Sequence, residues 1–489
     1  MPVPAIRIET LNGATPRAAG RYVLYWMNAT RRSGWNFALQ RAVEHAVDLQ
    51  RPLLVVETLS CERPHANLRH HHFALDGMAD NARGLAGKPA SYYPFVENRP
   101  GRIASLLTEL AKEACLIVCD LRPLRDSVRE TRELARRVPV LLERVDSNGI
   151  LPLKAADREF TTAHSLRRFM QKHLLAHLQQ PPLADPLNGV SLPPLPSLPD
   201  TISGGWPAAD RALLNGKRQR LAQLPIGQDT RPLAIRGGSA AAHAALEVFL
   251  REHLALYEAF RNQPQRDVTS GLSPYLRRGH LASHEIVQKL LDMQGWHPAD
   301  LSLETRGRRS GWWGLSASAE AFLDQLITWR ELGYLFCFKR DDYDRFEGLP
   351  DWAQATLEAH SQDPRPYLYT LRQLETAQTH DPLWNAAQMQ LVREGRLHNY
   401  LRMLWGKQIL HWSESPRQAL AAMSELNDRF ALDGCDPNSY GGIGWVMGRF
   451  DRAWGPQRPV FGKIRYMSSR NTARKVTVDG YIQRYAPTP

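Results

Sequence analysis

Cysteine is scarce in this chain and poorly placed for chemistry. Five cysteines (Cys61, Cys115, Cys119, Cys337 and Cys435) are scattered over 489 residues with no CxxC pair. That spacing supports neither a zinc nor an iron–sulfur site and suits a reduced, cytoplasmic protein. Cys115 and Cys119 sit in an apolar run and read as small core residues. Long apolar runs are missing too. None approaches the roughly 18 residues of a membrane span, and no secretory signal pattern opens the sequence. No GxGxxG follows the first strand-like run, so a standard dinucleotide site is not supported. The tract His70-His71-His72 lacks companion ligands and reads as a surface turn, so no metal is expected. Acidic charge is the last shortage. Asp and Glu number 50 against 62 Lys and Arg, a net charge of +12, which points to a polyanionic partner. From Gly441 onward there are nine Lys/Arg and two Asp/Glu. Such a stretch is a solvated face or a nucleic-acid surface, and its aromatic neighbours favour the second.

Tryptophan, by contrast, is plentiful, thirteen in all and dense in the last third. The remaining composition, 43% hydrophobic and 23% charged, is that of a soluble globular protein of two or three domains. The first 150 residues alternate apolar strands (Tyr22–Trp26, Pro52–Glu57, Leu116–Val118, Val138–Glu143) with helical text. That is the pattern of a parallel sheet covered on both faces. A Pro-rich stretch follows, including Leu192-Pro193-Pro194-Leu195-Pro196. It cannot be helical and is expected to run extended as a linker. From Ala240 the text is almost wholly helical. The expected organisation is an α/β domain over 1–178 with a Rossmann-like parallel sheet, a linker over 179–210 and an all-helical domain over 211–489.

Several strings can carry chemistry. Tyr257 is followed by Thr269-Ser270-Gly271-Leu272-Ser273, whose hydroxyls and glycine before a helix offer donors to a diphosphate, or simply an N-cap. Gln325 and Trp329 lie at i and i+4 on one helix face. They form either a hydrogen-bonding group beside a stacking wall or a core indole with a solvent-facing amide. Trp405 and Trp412 are two turns apart, about 10 Å along the axis, with Trp384 on the preceding helix. This stripe reads as core or as an electron path. Arg402, on an otherwise apolar face, needs an anion, and Asp433 is the candidate. Asn427, Asp428 and Asp433 read as a helix-end loop of capping residues. Trp445, behind Gly441-Gly442-Ile443-Gly444, reads as an exposed aromatic on a flexible loop, suited to base stacking.

Taken in order, these strings resemble the class II cyclobutane pyrimidine dimer photolyases of the photolyase/cryptochrome family. The resemblance covers nearly the whole chain and is densest from Thr269 to Tyr466. Its most specific blocks are Thr-His-Asp-Pro-Leu-Trp-Asn-Ala-Ala-Gln at 379–388, Leu-Arg-Met-Leu-Trp-Gly-Lys at 401–407, Leu-Asn-Asp-Arg-Phe at 426–430, Leu-Asp-Gly-Cys-Asp-Pro-Asn at 432–438 and Arg-Pro-Val-Phe-Gly-Lys-Ile-Arg-Tyr-Met at 458–467. It implies an α/β domain able to hold an antenna chromophore such as a deazaflavin or a folate. It also implies a helical domain that buries FAD, active when reduced, which under blue or near-UV light passes an electron to a flipped-out dimer.

Position by position, the resemblance implies that Tyr257, Thr269, Ser270, Gly271, Leu272 and Ser273 contact the FAD phosphates and that Asn427 faces the flavin N5. It implies an Arg402–Asp433 ion pair beside the ring. It makes Trp405, Trp384 and Trp412 a relay that carries electrons from the surface to the flavin. Trp329 and Trp445 become walls on either side of the dimer, and Arg465 a phosphate contact. Gln325 stands where many relatives have Glu, so it can donate to a dimer carbonyl but cannot supply a proton. The expected partner is dimer-containing double-stranded DNA, met by a soluble, cytoplasmic, nucleoid-associated monomer. The alternative is a flavin photoreceptor signalling through a partner, which has no need of Trp329, Trp445 or the basic C-terminal segment.

Overall fold

A computed structural model describes residues 1–195 and 197–487; Pro196 of the Pro-rich stretch lies outside the described residues. Grouped by compactness, the chain forms two units. The first takes Met1–Asp157, His173–Leu246 and Leu272–Gly295, the second Arg158–Lys172, Glu247–Gly271 and Trp296–Pro489. Residues 179–210 thus fall within the first unit.

The first unit is built on one sheet: β1 (Ile8–Thr10), β2 (Tyr22–Met27), β3 (Leu53–Leu59), β4 (Ser91–Val96), β5 (Ala114–Asp120) and β6 (Leu142–Val145). The order is β1-β6-β5-β2-β3-β4. β1 is antiparallel to β6 and every other pairing is parallel. The five parallel strands follow the doubly wound order expected of a Rossmann-like domain. β2, β3 and β5 are buried at every position because both faces are covered. Val23, Tyr25 and Met27 enter the core formed with the helix Phe37–Asp48. Tyr22, Leu24 and Trp26 enter the core formed with the helices Arg102–Ala111 and Arg125–Arg137. Cys115 and Cys119 take one face each.

Four details depart from the sequence expectations. β4 contains Pro94, which its edge position tolerates. β6 begins at Leu142 because Val138 caps the helix before it. In the Pro-rich stretch the six residues between Pro199 and Trp206 are free of proline, and Asp200–Gly205 forms a short helix where none was expected. His70 and His71 are no surface turn. They are buried in the helix Leu68–Gly84, whose N-cap Asn67 accepts the His70 N–H. Burial, with the Arg278 charge nearby, pulls His71 down to about 3, so it stays neutral. Among the described residues no cluster could hold a metal ion, and no helix is long and apolar enough to cross a membrane.

At the switch point between β2 and β5 the amides of Asn28, Ala29 and Thr30 all donate to Asp120, at 3.0, 2.8 and 2.8 Å. The Tyr25 hydroxyl adds a fourth bond at 2.9 Å. The donors a phosphate would use there are taken by the protein's own carboxylate, in keeping with the missing glycine fingerprint.

The second unit is helical. Three of its helices, Pro382–Glu394, Pro416–Phe430 and Pro437–Val446, open with Asp381, Ser415 and Asp436 accepting a first-turn N–H, each followed by proline at the first helical position. With Asn399–Trp412 they enclose a core holding Trp384, Trp405 and Trp412. Asn427 and Asp428 lie in the last turn of Pro416–Phe430, both buried, and not in the loop expected. The glycines before Trp445 are helical as well. A Cβ on Gly441 would stand 3.3 Å from the Gly333 Cα, so the glycines let Pro437–Val446 pack tightly against Arg330–Lys339.

Candidate functional site

A cavity of about 1120 Å³ lies within the second unit. Gln325 and Trp329 reach its wall from a π-helical turn, Asp324–Trp329, set between the α-helices Ala317–Leu323 and Arg330–Lys339. Such single π turns recur at functional sites. Trp445 joins them from the opposite helix. The Trp329 and Trp445 rings stack on each other, centroids 4.4 Å apart and planes 21° apart. The walls expected on either side of a dimer are therefore closed face to face. Lys407, fully buried, donates to the Val446 carbonyl and so fixes the end of the helix that carries Trp445. Burial pulls this amine down to about 7.

The cavity is rimmed by cations. Arg465 lines it with its guanidinium 4.4 Å from the Trp454 ring centroid and 3.7 Å from Asp451. Arg306, Arg308 and Arg309 line it from a loop that is pinned from behind: Arg167 Nε donates to Asp324 at 2.8 Å and its Nη1 to the Gly307 carbonyl at 3.2 Å. Gln171 exchanges two hydrogen bonds with the same loop. Arg167 Nη2 is buried without a partner. The sequence reading missed this loop. Its signal was there, in an Arg-Gly-Arg-Arg run followed by Trp312 and Trp313.

Beside the cavity, on the helix whose Asn399, Tyr400 and Met403 line it, Arg402 pairs with both Asp433 oxygens at 3.2 and 3.1 Å. Its Nη1 donates to Asn427 Oδ1 at 3.1 Å. The Asn427 amide N–H goes to Asp428 at 2.9 Å, and Asp428 in turn accepts from the Cys435 N–H and the Tyr440 hydroxyl. The Asn427 amide is thereby held in one orientation, with one N–H left over. None of Arg402, Asn427 and Asp433 is itself a lining residue.

The three tryptophans that the resemblance makes a relay lie close together. Trp384 donates its indole N–H to the Trp405 carbonyl at 3.0 Å, and its ring meets Trp412 edge-on at 5.5 Å. Trp405 donates to Gln388. Trp412 is only 2% exposed. The phosphate string is less coherent. Tyr257 is buried edge-on against Phe249 and Phe322, with Arg261, a lining residue, 5.7 Å from its ring centroid. Thr269 donates to Asp267, itself bound by Arg396. Gly271 takes a left-handed φ of 64°. Leu272 and Ser273 group with the first unit, where Ser273 opens the helix Ser273–Arg278.

Over 486 residues the chain is 36% identical to a deoxyribodipyrimidine photo-lyase of Methanothermobacter thermautotrophicus, spanning 99% of this chain and 98% of that protein. The chain belongs to the deoxyribodipyrimidine photo-lyase family. The photo-lyase of Potorous tridactylus is 33% identical over 481 residues, 95% of this chain and 81% of its own length. Among solved structures, a class III photolyase of Agrobacterium tumefaciens matches with a TM-score of 0.68 at 16% identity, covering 96% of this chain and 87% of that one. A Synechocystis cryptochrome matches at 0.66 and 14%, covering 95% and 88%. At such identities these two speak for the fold alone, a parallel-sheet α/β part with a helical part. No protein-family model matches the chain. Membership makes this photo-lyase relative a lyase, and its cavity with a basic rim is the place to look for the reaction.

Proposed function

We propose that the chain repairs cyclobutane pyrimidine dimers in DNA under light, as a class II enzyme using reduced FAD held in the second unit. The observation that carries the reading is a tryptophan pair and an amide, Gln325, on the wall of one cationic cavity. A pocket for a small ligand occupies about 300–1,000 Å³, and this one exceeds that range, leaving room for a dinucleotide and an extruded pyrimidine dimer. The unpartnered Arg167 Nη2 and the Arg261 guanidinium suit the charge of a diphosphate. Tyr257 and the Thr269–Gly271 part of the string are the further phosphate contacts within the second unit, with Arg402, Asn427 and Asp433 beside the flavin ring. When bound, reduced FAD supplies under excitation the one electron that opens the cyclobutane ring and later returns.

The chain's own residues do the rest. Asn427, locked between Arg402 and Asp428, presents its spare N–H in a fixed direction. Gln325 donates an amide N–H to a dimer carbonyl and holds it without giving up a proton. Trp329 and Trp445 stack on the extruded bases. Arg465 and the Arg306–Arg309 loop hold the DNA backbone and give an affinity that falls with salt. For the first unit, an antenna chromophore such as a deazaflavin or a folate rests on the family resemblance alone, and the β2–β5 switch point has its amides committed to Asp120. The test is direct: flavin-loaded protein is mixed with dimer-containing duplex and intact thymines are counted after light and after darkness. Light-dependent restoration is expected. Absence of restoration by fully reduced protein removes the repair reading and leaves the photoreceptor.

A further inference from the structure

The basic loop on the cavity rim owes its shape to one buried carboxylate. Glu320, 2% exposed, sits in the first turn of Ala317–Leu323 and does not itself line the cavity. Its oxygens are filled by backbone amides of the loop. Oε1 accepts from Trp313 at 3.1 Å and from Leu315 at 3.4 Å, and Oε2 accepts from Gly311. Alternate residues can all face one carboxylate because Gly311 and Gly314 take left-handed φ values of 77° and 70°. Amides turned inward in this way form an anion-holding concavity, and here the anion is the protein's own.

The near end of the loop is held from the same stretch of helix. Asp324, the next turn after Glu320, opens the π-helical turn that carries Gln325 and Trp329. Through Arg167 and its bond to the Gly307 carbonyl, Asp324 fixes the chain before Arg308 and Arg309, as Glu320 fixes it after them. Around these anchors Arg306, Arg308 and Arg309 are exposed. Glu304 approaches Arg306 only to 3.8 Å and Arg308 only to 3.6 Å. No ion pair engages Arg309 among the described residues. Three guanidinium groups thus stand on a fixed frame with their charge weakly committed.

We propose that Glu320 is the positioning residue that holds Arg306, Arg308 and Arg309 ready for the backbone phosphates beside an extruded dimer. The inference deepens the DNA-repair reading and rests on it. The three cations line the same cavity as Trp329 and Gln325, so a strand whose bases enter there passes the loop. An exposed loop without an internal anion would have to be ordered at the moment of binding, which lowers affinity. With the amides of Gly311, Trp313 and Leu315 satisfied in advance, that ordering is complete before DNA arrives. Removing the carboxylate leaves those amides unpaired, and the three arginines lose their common frame. Glu320 touches neither DNA nor cofactor; it acts only through the loop.

The test uses flavin-loaded protein and anisotropy titrations of dimer-containing and undamaged duplexes over a range of salt. Glu320→Ala should weaken both duplexes by roughly tenfold at low salt. It should also flatten the slope of log K against log salt by up to about three contacts, each worth about 0.9. Flavin content should stay at the parent level. Acetate, small enough to enter the emptied concavity, should restore part of the affinity when compared with chloride at equal ionic strength, which a packing role would not allow. A variant with Arg306→Ala, Arg308→Ala and Arg309→Ala together should show the same losses, and adding Glu320→Ala to it should change nothing further. A parent slope in Glu320→Ala, further loss on top of the triple arginine variant, or loss of flavin along with DNA affinity overturns the proposal. Should Glu320→Ala fail to fold, Glu320→Gln decides. It keeps the shape with one acceptor oxygen and should lose part of the slope, and a parent slope there overturns the proposal as well. A parent that binds duplex with the expected salt slope but restores no thymines in light would instead strike the repair reading alone, which keeps the two failures apart.

Discussion

The closed Trp329–Trp445 stack makes a quantitative demand on dimer binding. A base that enters between the rings, now 4.4 Å apart, must first part them. An aromatic pair is worth about 0.5–1.5 kcal/mol beyond its buried area, and each base–aromatic stack about 1–3 kcal/mol. With mid-range values of about 1 and about 2 kcal/mol, a sandwiched dimer gains two stacks and loses one contact, a net of about 3 kcal/mol. In Trp445→Ala one stack survives and no contact needs breaking. The loss is then only about 1 kcal/mol, roughly fivefold in Kd. Trp329→Ala should cost the same. The double variant forfeits the whole net gain, about 3 kcal/mol or roughly 150-fold, about 1 kcal/mol more than the two single losses together. That excess is the Trp–Trp contact itself. A dimer resting on the outside of a pair that stays closed gives another pattern: one single variant loses a full stack and the double loses no more than the sum. Anisotropy titrations of a labelled duplex with one dimer, and of its undamaged counterpart, at one fixed salt concentration separate the cases. A double variant that is merely additive refutes the sandwich, and equal losses on undamaged duplex refute a role in reading the lesion at all.

Four further outcomes follow from the same geometry. Asn427→Leu should retain FAD but lower the potential of the bound flavin, read by spectroelectrochemistry, and an unchanged potential removes the role given to its amide. Trp405→Phe should stop light-driven reduction of oxidised flavin while chemically reduced protein still repairs, so photoreduction at the parent rate would leave the stripe as packing. Arg465→Ala should weaken damaged and undamaged duplex alike and lower the slope of log K against log salt by roughly one contact. Lys407 titrates at about 7 when folded and at the ordinary 10.5 when unfolded. The unfolded chain thus binds more protons between those values, and the Lys407 contribution makes stability rise with pH across that window. Lys407→Met should flatten that rise in urea titrations while leaving the Val446 carbonyl unpaired at a cost of about 1–3 kcal/mol, and an unaltered slope would show that the amine is not held in a dry site.

Much of the helical unit was legible because its signals are local. Asp381-Pro382 and Ser415-Pro416 mark two helix starts with a capping oxygen and a residue that needs no N–H, while the same signal at Asp436-Pro437 was outweighed by the glycines that follow it. The spacing of Trp405 and Trp412 put them on one helix, and the carboxylate at 433 was matched to Arg402, where the ion pair is found, whereas the hydrogen bond from Arg402 to Asn427 was not foreseen. The apolar strands announced a sheet covered twice. The boundaries of β6 and of the Asn427 helix slipped, because a capping residue such as Val138 resembles strand text and a short carboxylate inside a last turn, such as Asp428, resembles loop text until their partners are known.

What escaped the sequence depends on neighbours distant along the chain. A run of glycines ordinarily signals a loop, and Trp445 was read accordingly as a mobile aromatic. The run is helical, opened by the Asp436 cap, and a Cβ at Gly441 would come within 3.3 Å of Gly333, more than a hundred residues earlier, so the glycine serves close helix packing. Burial of Trp412 has the same origin. Two turns of helix cannot tell whether the last indole meets water, since its cover arrives from Tyr369 and His380 on separate stretches. The two cases point to one physical rule for this site: the exposure of Trp412 and the stacking of Trp445 on Trp329 are both set by close packing between elements, so a conservative change in the cover or in a glycine should move these tryptophans further than a change on the exposed rim.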